Sequence, residues 1–186
     1  MTPRSLAWIE LLVCWVAWAY PFLFRAPHIQ KRESLTVAGP TRVGLLLEVT
    51  AIGLAFVRAP GTPRTSSAFL VGALACGMAA AGLAWTSVKH LGRQFRIHAG
   101  LYVDHELVRT GPYALVRHPI YSSLLAILLA TILLLTPWPW AMVSLALFVA
   151  GTEVRVRSED RLLASRFGEQ FARYRESVPA YLPFVR

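Results

Sequence analysis

HELVRTGPYALVRHPIY (residues 105–121) leads directly into IYSSLLAILLATILLL (residues 120–135), and this junction decides the fold. The second stretch contains no charged residue, whereas the first brings imidazole, guanidinium, phenol and proline side chains to its entrance. An uninterrupted apolar run of this length is typical of a helix in a membrane or in an apolar core. We therefore expect a polar site at the edge of a bundle of membrane helices.

The composition of the whole chain supports a membrane protein. Of its 186 residues, 55% are hydrophobic and only 16% are charged, which is too apolar for an ordinary soluble domain. A bilayer core about 30 Å thick needs roughly 20 helical residues. Five segments approach that length: Leu6–Phe24, Val43–Val57, Ala68–Val88, Ile120–Leu135 and Trp138–Gly151. We predict an all-α, multi-pass membrane helical bundle with about five transmembrane helices, forming a single domain over residues 1–186.

Two further features concern the C-terminal half. The turn Thr136–Pro139 contains almost no polar residue and predicts a tight helical hairpin between the last two spans. The tail from Glu153 to Ser177 places apolar residues at near-helical spacing with Arg and Glu between them. It predicts a C-terminal amphipathic cytosolic helix, bent at Gly168 and ended by Pro179.

The distribution of positive charge predicts the orientation. With five spans, 16 of the 19 Lys and Arg residues fall on one side, and Arg4, Arg58 and Arg64 fall on the other. The positive-inside rule then places the C-terminus in the cytoplasm and the N-terminus outside. The net charge of +9 comes without a nucleic-acid-binding motif, so we expect contacts with membrane lipids and no nucleic acid partner.

The junction also carries the groups most able to do chemistry. His118–Pro119 can open a helix whose N-terminus favours anions, and Arg117 adds a fixed positive charge. Alternatively, Arg117 is only a membrane anchor and Tyr121 an interfacial aromatic residue. In the tail, Arg155 and Glu159 share a helix face. They follow a predicted span directly and can fold back over the loop to form part of a polar site. Alternatively, they form a surface ion pair worth only about 0.3–0.5 kcal/mol.

Several other kinds of site have no support. His98, His105 and His118 match no recognised zinc spacing, so we expect no metal. Nucleotide-binding glycine motifs and a serine nucleophile motif are absent from the sequence. Glu10 and Glu48 are acids within predicted spans, and such residues usually face a bundle interior or a cavity, with a structural or a functional role.

Three stretches together closely resemble the isoprenylcysteine carboxyl methyltransferase family of integral membrane enzymes. They are LGRQF (residues 91–95), HELVRTGPYALVRHPIY (residues 105–121) and RVRSEDRLLASRFGEQFARYRESVPAYLP (residues 155–183). The resemblance covers about the C-terminal half of the chain. It implies S-adenosyl-L-methionine as the methyl donor, held in a cytosolic pocket made by residues 89–121 and 152–183. It also implies a lipophilic acceptor, an isoprenoid or a lipid, that enters from the bilayer.

The resemblance also implies roles for single residues. Arg155 falls where the acceptor's carboxylate is bound, and Glu159 is the second catalytic candidate. Where the family commonly has paired glutamates, this chain has Glu159 followed by Asp160, which leaves the role of Asp160 open. The implied cofactor contacts are His105, Glu106, Leu107, Val108, Tyr113, His118, Pro119, Ile120, Tyr121 and Glu159, with His98 in a more variable part of the loop.

The sequence therefore predicts an enzyme that transfers methyl from S-adenosyl-L-methionine to a lipophilic acceptor. The first candidate, implied by the resemblance, is the carboxylate of an isoprenylcysteine-like substrate, and an ionised carboxylate (pKa about 4) needs no general base. A phospholipid or other lipid amine is the alternative, and it would have to lose a proton to His118 or to a carboxylate of the tail. A non-catalytic membrane protein that retains the fold is the third possibility.

Overall fold

A computed structural model describes residues 2–25, 41–92 and 106–182, and within these ranges the chain is helical with no strand. Helix α1 (Pro3–Tyr20) continues as a single π-helical turn (Pro21–Arg25). The helices that follow are α2 (Thr41–Ala55), α3 (Ser67–Leu91), a 3-10 turn (Gly111–Ala114), α4 (Pro119–Leu135), α5 (Trp138–Phe167) and α6 (Glu169–Ser177). The predicted all-helical fold is confirmed.

Helix α4 lies at the centre of the bundle because it is apolar on every face. One side packs with α1 and α3, in a cluster that includes Leu11, Ala80 and Ile127. The other side packs with α2 and α5, in a cluster that includes Leu128 and Phe148. A helix that is hydrophobic all round is expected to be buried among others, so α4 joins the two halves of the bundle.

The five predicted spans differ in length. The α1 segment (Pro3–Phe24), α3 and α5 are long and apolar enough to cross a membrane. Helix α2 has 15 residues and α4 has 17, so they rise only about 22 Å and 25 Å against a bilayer core of about 30 Å. Three candidate spans are therefore established by length and composition, and the count of five stays a prediction.

The connection between α4 and α5 is as short as predicted, since only Thr136 and Pro137 separate them. Both residues have extended backbone, with ψ near 129° and 147°. The two helices nevertheless diverge: α4 packs mainly against α3, whereas α5 packs mainly against α2. The predicted hairpin is thus a tight turn between helices that take different partners.

Helix α5 is longer than the sequence predicted. It runs without interruption through Gly151 to Phe167, so the predicted C-terminal helix does not begin as a separate element at Glu153. The periodicity changes near Gly151 because the surroundings change from apolar to polar, while the backbone hydrogen bonds continue. The bend predicted at Gly168 is a break, because this glycine adopts φ +50° and separates α5 from α6.

Helices α2 and α5 cross at two glycines. A Cβ atom on Gly44 would lie 2.5 Å from Cγ of Arg155 and 2.7 Å from the carbonyl oxygen of Gly151. A Cβ atom on Gly151 would lie 2.7 Å from the carbonyl oxygen of Gly44. Only residues without side chains allow the two backbones to approach this closely, and the approach brings α2 beside the stem of Arg155.

The bundle has two chemically different ends. At one end the Arg58 guanidinium lies 5.6 Å from the ring centre of Trp8, and Arg64 binds carbonyl groups at the end of α4. At the other end the start of α4 meets the second half of α5 and the segment after α6. The catalytic candidates Arg155 and Glu159, with His118 and Tyr121, lie at this second end, which we call the polar end.

Candidate active site

The segment after α6 folds back onto the start of α4. The backbone N–H of Arg117 donates to the carbonyl of Pro179, and that of His118 donates to the carbonyl of Ala180, both at 2.8 Å. The Ser122 hydroxyl donates to the carbonyl of Tyr181. The first N–H groups of a helix have no partner within the helix, so the segment after α6 supplies acceptors where α4 begins and closes the polar end.

His118 is buried between two carboxylates of α5. Its Nε2 lies 2.8 Å from Oδ1 of Asp160, and its Nδ1 lies 3.3 Å from Oε2 of Glu159. Burial alone lowers the pKa of an imidazole, but the hydrogen bonds and charges of Asp160 and Glu159 outweigh it and raise the pKa of His118 to about 9. The ring is therefore an imidazolium at neutral pH, hydrogen-bonded to Asp160 and ion-paired with Glu159.

Asp160 is shared by two neighbouring cations. Its second oxygen accepts a hydrogen bond from Nη2 of Arg117 at 3.0 Å. The other end of the same guanidinium donates to the carbonyls of Arg175 and Val178. Asp160 thus holds Arg117 and His118 against α5. The sequence left the role of Asp160 open, and these contacts give it a structural role.

Tyr121 and Arg155 extend the network toward α2. The Tyr121 hydroxyl donates to Oε1 of Glu159, and the Arg155 guanidinium lies 5.0 Å from the centre of the Tyr121 ring. Nη1 of Arg155 donates to Oε2 of Glu48 at 2.7 Å, and the Thr152 hydroxyl donates to Oε1 of Glu48 at 3.0 Å. One continuous series of contacts therefore runs from Glu48 to Arg117, through the residues just described; we call it the polar chain.

Tyr113 lies outside the polar chain, in a different environment. It is buried in the 3-10 turn, where its carbonyl accepts from the Tyr174 hydroxyl. Its own hydroxyl lies beside the buried hydroxyl of Ser87, and neither has a further hydrogen-bond partner among the described residues. Burial raises the pKa of Tyr113 well above its usual range, so the phenol stays neutral. Buried hydroxyls are normally satisfied, and these two groups could serve a polar ligand.

Apart from Tyr113, the residues singled out from the sequence divide into four sets. His118, Tyr121, Arg155 and Glu159 are brought into contact at the polar end. Pro119 is buried beside them as the first residue of α4, and Ile120 is half-buried. In the segment before Gly111, Glu106 is exposed, and Leu107 and Val108 are half-buried. His98 and His105 lie outside the described residues.

The sequence did not assign partners to three residues of the polar chain, namely Asp160, Arg117 and Glu48. Asp160 and Arg117 carry a recognisable signal, because an Arg–His doublet and a Glu–Asp doublet are complementary in charge. Glu48 carries a weaker one, since an acid within an apolar helix is expected to have a partner, although no spacing identified Arg155 as that partner. Glu10 lies in α1, half-buried, with Oε1 unpaired among the described residues.

Comparison with known proteins identifies the family of this chain. A family described as isoprenylcysteine carboxyl methyltransferase (ICMT) matches residues 73–165, which is half of the chain. The chain belongs to this family. The ICMT match runs from α3 to the second half of α5 and includes every residue of the polar chain except Glu48. Helix α2 lies outside it.

The individual relatives match different fractions of this chain. The cobalt-zinc-cadmium resistance protein of Cupriavidus metallidurans is 32% identical over 146 residues, 78% of this chain and 62% of that protein. Protein-S-isoprenylcysteine O-methyltransferase of Schizosaccharomyces pombe is 36% identical over 83 residues, 44% of this chain and 35% of that protein. Protein-S-isoprenylcysteine O-methyltransferase B of Arabidopsis thaliana is 34% identical over 82 residues, 44% of this chain and 41% of that protein. The chain thus spans less than two thirds of the length of each of these relatives.

Proposed function

We propose that this protein transfers a methyl group from S-adenosyl-L-methionine to a lipophilic acceptor that reaches the polar end from the bilayer. The first candidate acceptor is the carboxylate of an isoprenylcysteine-like substrate, and the product is a methyl ester. The observation that carries the proposal is the direct contact between Arg155, the acceptor candidate, and Tyr121, which is bonded to the cofactor candidate Glu159. Acceptor and cofactor residues are therefore adjacent.

The polar end has groups suited to the cofactor. S-adenosyl-L-methionine supplies a methyl group activated by a sulfonium. Glu159, Tyr113 and the start of α4 would hold it. The neighbouring buried hydroxyls of Tyr113 and Ser87, which have no further partner among the described residues, fit a ligand rich in polar atoms. The remaining candidate contacts are His98, His105, Glu106, Leu107, Val108, His118, Pro119, Ile120 and Tyr121.

The electrostatics of the polar end favour a carboxylate acceptor. Such an acceptor is ionised near neutral pH and needs no general base. Arg155 would orient it, and alignment of two bound reactants can supply roughly 7–11 kcal/mol of catalysis. An amine acceptor would have to lose a proton, yet His118, with a pKa of about 9, already carries one at neutral pH. An amine acceptor would thus depend on a carboxylate such as Glu159, which makes lipid N-methylation the second choice.

We further propose that the polar end faces the cytoplasm. The predicted placement of 16 of the 19 Lys and Arg residues on that side supports it. The proposal takes nothing about metal resistance from the Cupriavidus relative. Lipids of the cytoplasmic leaflet would surround the site.

The direct test uses membranes that contain the protein, methyl-labelled S-adenosyl-L-methionine, and farnesylcysteine analogues or endogenous lipid as acceptors. Mild alkali then separates the products, because a methyl ester releases its label as methanol and an N-methyl group does not. We expect base-labile label that depends on Arg155 and is lost in R155Q. Stable label in lipid would move the assignment to an amine acceptor.

A second measurement separates an enzyme from a binding protein. E159Q removes the charge of the cofactor candidate and should weaken binding of S-adenosylhomocysteine, while the protein still inserts and unfolds cooperatively. R157Q is the matched control, because Arg157 is exposed on the same helix and pairs only with Glu153 among the described residues. Absence of label with every acceptor, together with unchanged binding in E159Q, would contradict the proposed function.

A further inference from the structure

Glu48 is a buried carboxylate that the family match does not assign. It lies on α2, outside residues 73–165, and its side chain is only 1% exposed. One carboxylate oxygen accepts from Thr152 and the other pairs with Arg155 at 2.7 Å. Residues of α5 therefore bind both oxygens of Glu48, and α2, a helix of the N-terminal half, contributes directly to the polar chain.

The partner of Glu48 is the residue proposed to bind the acceptor. Arg155 is held by the Glu48 carboxylate and by the face of the Tyr121 ring, 5.0 Å from the guanidinium. An arginine side chain has many rotamers, and ordering it on binding weakens affinity. A guanidinium that is already oriented binds a planar carboxylate without that loss.

The backbone geometry makes this arrangement possible. Because Gly44 and Gly151 let α2 and α5 touch, the stem of Arg155 passes directly beside Gly44, one turn before Glu48. This short distance between the two helices allows the Glu48 carboxylate to contact side chains of α5. A guanidinium has five N–H donors, which is enough to serve two carboxylates.

We propose that Glu48 is the positioning residue of the acceptor end, which holds the Arg155 guanidinium against Tyr121 in the orientation that receives an acceptor carboxylate. The inference rests on the proposed methyl transfer to a carboxylate. It assigns α2 a part in selecting the acceptor, whereas the cofactor is held by α4, α5 and the loop before α4.

The test compares three substitutions. E48Q keeps the size of the side chain and removes its charge, E48D keeps the charge and shortens the reach, and R157Q changes an exposed arginine on the same helix as Arg155, outside the polar chain. For each variant we would measure kcat and KM for a farnesylcysteine analogue. We would also measure Kd for that analogue in the presence of S-adenosylhomocysteine, and Kd for S-adenosylhomocysteine itself.

If Glu48 positions Arg155, E48Q should raise both KM and Kd for the acceptor analogue about tenfold, with kcat and the Kd of S-adenosylhomocysteine changed less than about threefold. E48D should recover part of the loss, and it is the variant to measure if E48Q does not insert. R157Q, the matched control, should stay within about threefold of the wild type, because Arg157 is exposed and pairs only with Glu153 among the described residues.

Two results would overturn the inference. Acceptor binding in E48Q within twofold of the wild type would mean that Glu48 does not position Arg155. A parallel loss of acceptor and S-adenosylhomocysteine binding in E48Q and E48D would mean that the ion pair only holds the fold together. Failure of the proposed function gives a different result: wild-type protein would bind the analogue without methylating it, and the E48Q shift in Kd would persist.

Discussion

At the scale of single residues, His118 shows how the polar end fixes its own charge. Two carboxylates and burial act on the same imidazole in opposite directions, and the carboxylates prevail, so that the pKa of His118 lies at about 9 rather than 6.5. The proton is bound more tightly in the folded state than in the unfolded chain. Folding and protonation of His118 are therefore linked.

This linkage predicts how stability depends on pH. The contribution of His118 is fully present below pH 6.5 and is lost as pH rises through 9, because deprotonation then removes the attraction of Asp160 and Glu159. The shift corresponds to about 3 kcal/mol of unfolding free energy. We expect the thermal midpoint of the detergent-solubilised protein to fall between pH 7 and 10. H118Q should lack this component, so curves for the two proteins that fall in parallel would contradict the assignment.

The same residues show which parts of the site could be predicted from the sequence. The resemblance identified His118, Tyr121, Arg155 and Glu159, and the structure brings these four side chains into contact. It left Asp160 in doubt, because the sequence alone does not reveal that Arg117 and His118 converge on one carboxylate. Adjacent residues in a helix point in different directions, so Glu159 and Asp160 meet His118 only because its ring lies between them.

At the scale of elements, the sequence was most reliable where backbone chemistry decides the structure. Pro119 begins α4 and Gly168 ends α5, as their backbone preferences indicate. The boundary expected at Gly151 was wrong because it was inferred from a change in polarity, and a helix continues across such a change as long as its hydrogen bonds do. The divergence of α4 and α5 depends on the close approach at Gly44 and Gly151, which a turn motif cannot reveal.

The C-terminal end of α4 depends on Arg64. Its guanidinium donates to the carbonyls of Ile132, Leu133 and Thr136 at 2.8–3.0 Å, and its backbone N–H donates to the carbonyl of Leu134 at 2.8 Å. The last carbonyls of a helix have no partner within the helix, and a cation there also interacts favourably with the helix dipole. From the sequence, Arg64 was only one of three charges on the outer side.

We predict that R64A lowers the unfolding free energy by about 2–4 kcal/mol, because buried carbonyls lose a charged donor. R58A is the matched control, since Arg58 lies at the same end but is exposed and contacts the ring of Trp8. Its loss should be about 1 kcal/mol or less. The readout is the thermal midpoint in detergent, together with unchanged binding of S-adenosylhomocysteine by both variants. Equal destabilisation by R64A and R58A would mean that Arg64 does not cap α4.

At the scale of the whole molecule, the separation of the two ends agrees with the predicted distribution of charge. Arg58 and Arg64 lie at one end of the bundle, and Arg117 and Arg155 lie at the other. A chain that crosses the membrane five times places its termini on opposite sides. Because α2 and α4 are shorter than a typical span, the number of crossings has to be measured. The inner helix α4 can be short, because protein rather than lipid surrounds much of it.

Three epitope tags, placed at the N-terminus, in the exposed loop at Ser66, and at the C-terminus, test whether the chain crosses the membrane an odd or an even number of times between them. Protease added to sealed vesicles of known orientation should remove the first two tags from the outer side and the third only from the cytoplasmic side. Agreement between the N-terminal tag and the Ser66 tag means an even number of crossings between them, as expected if α1 and α2 both cross. A Ser66 tag that appears on the opposite side would show that only one of them crosses. Termini on the same side would mean an even number of spans and would place the polar end on the side where the C-terminal tag is cleaved.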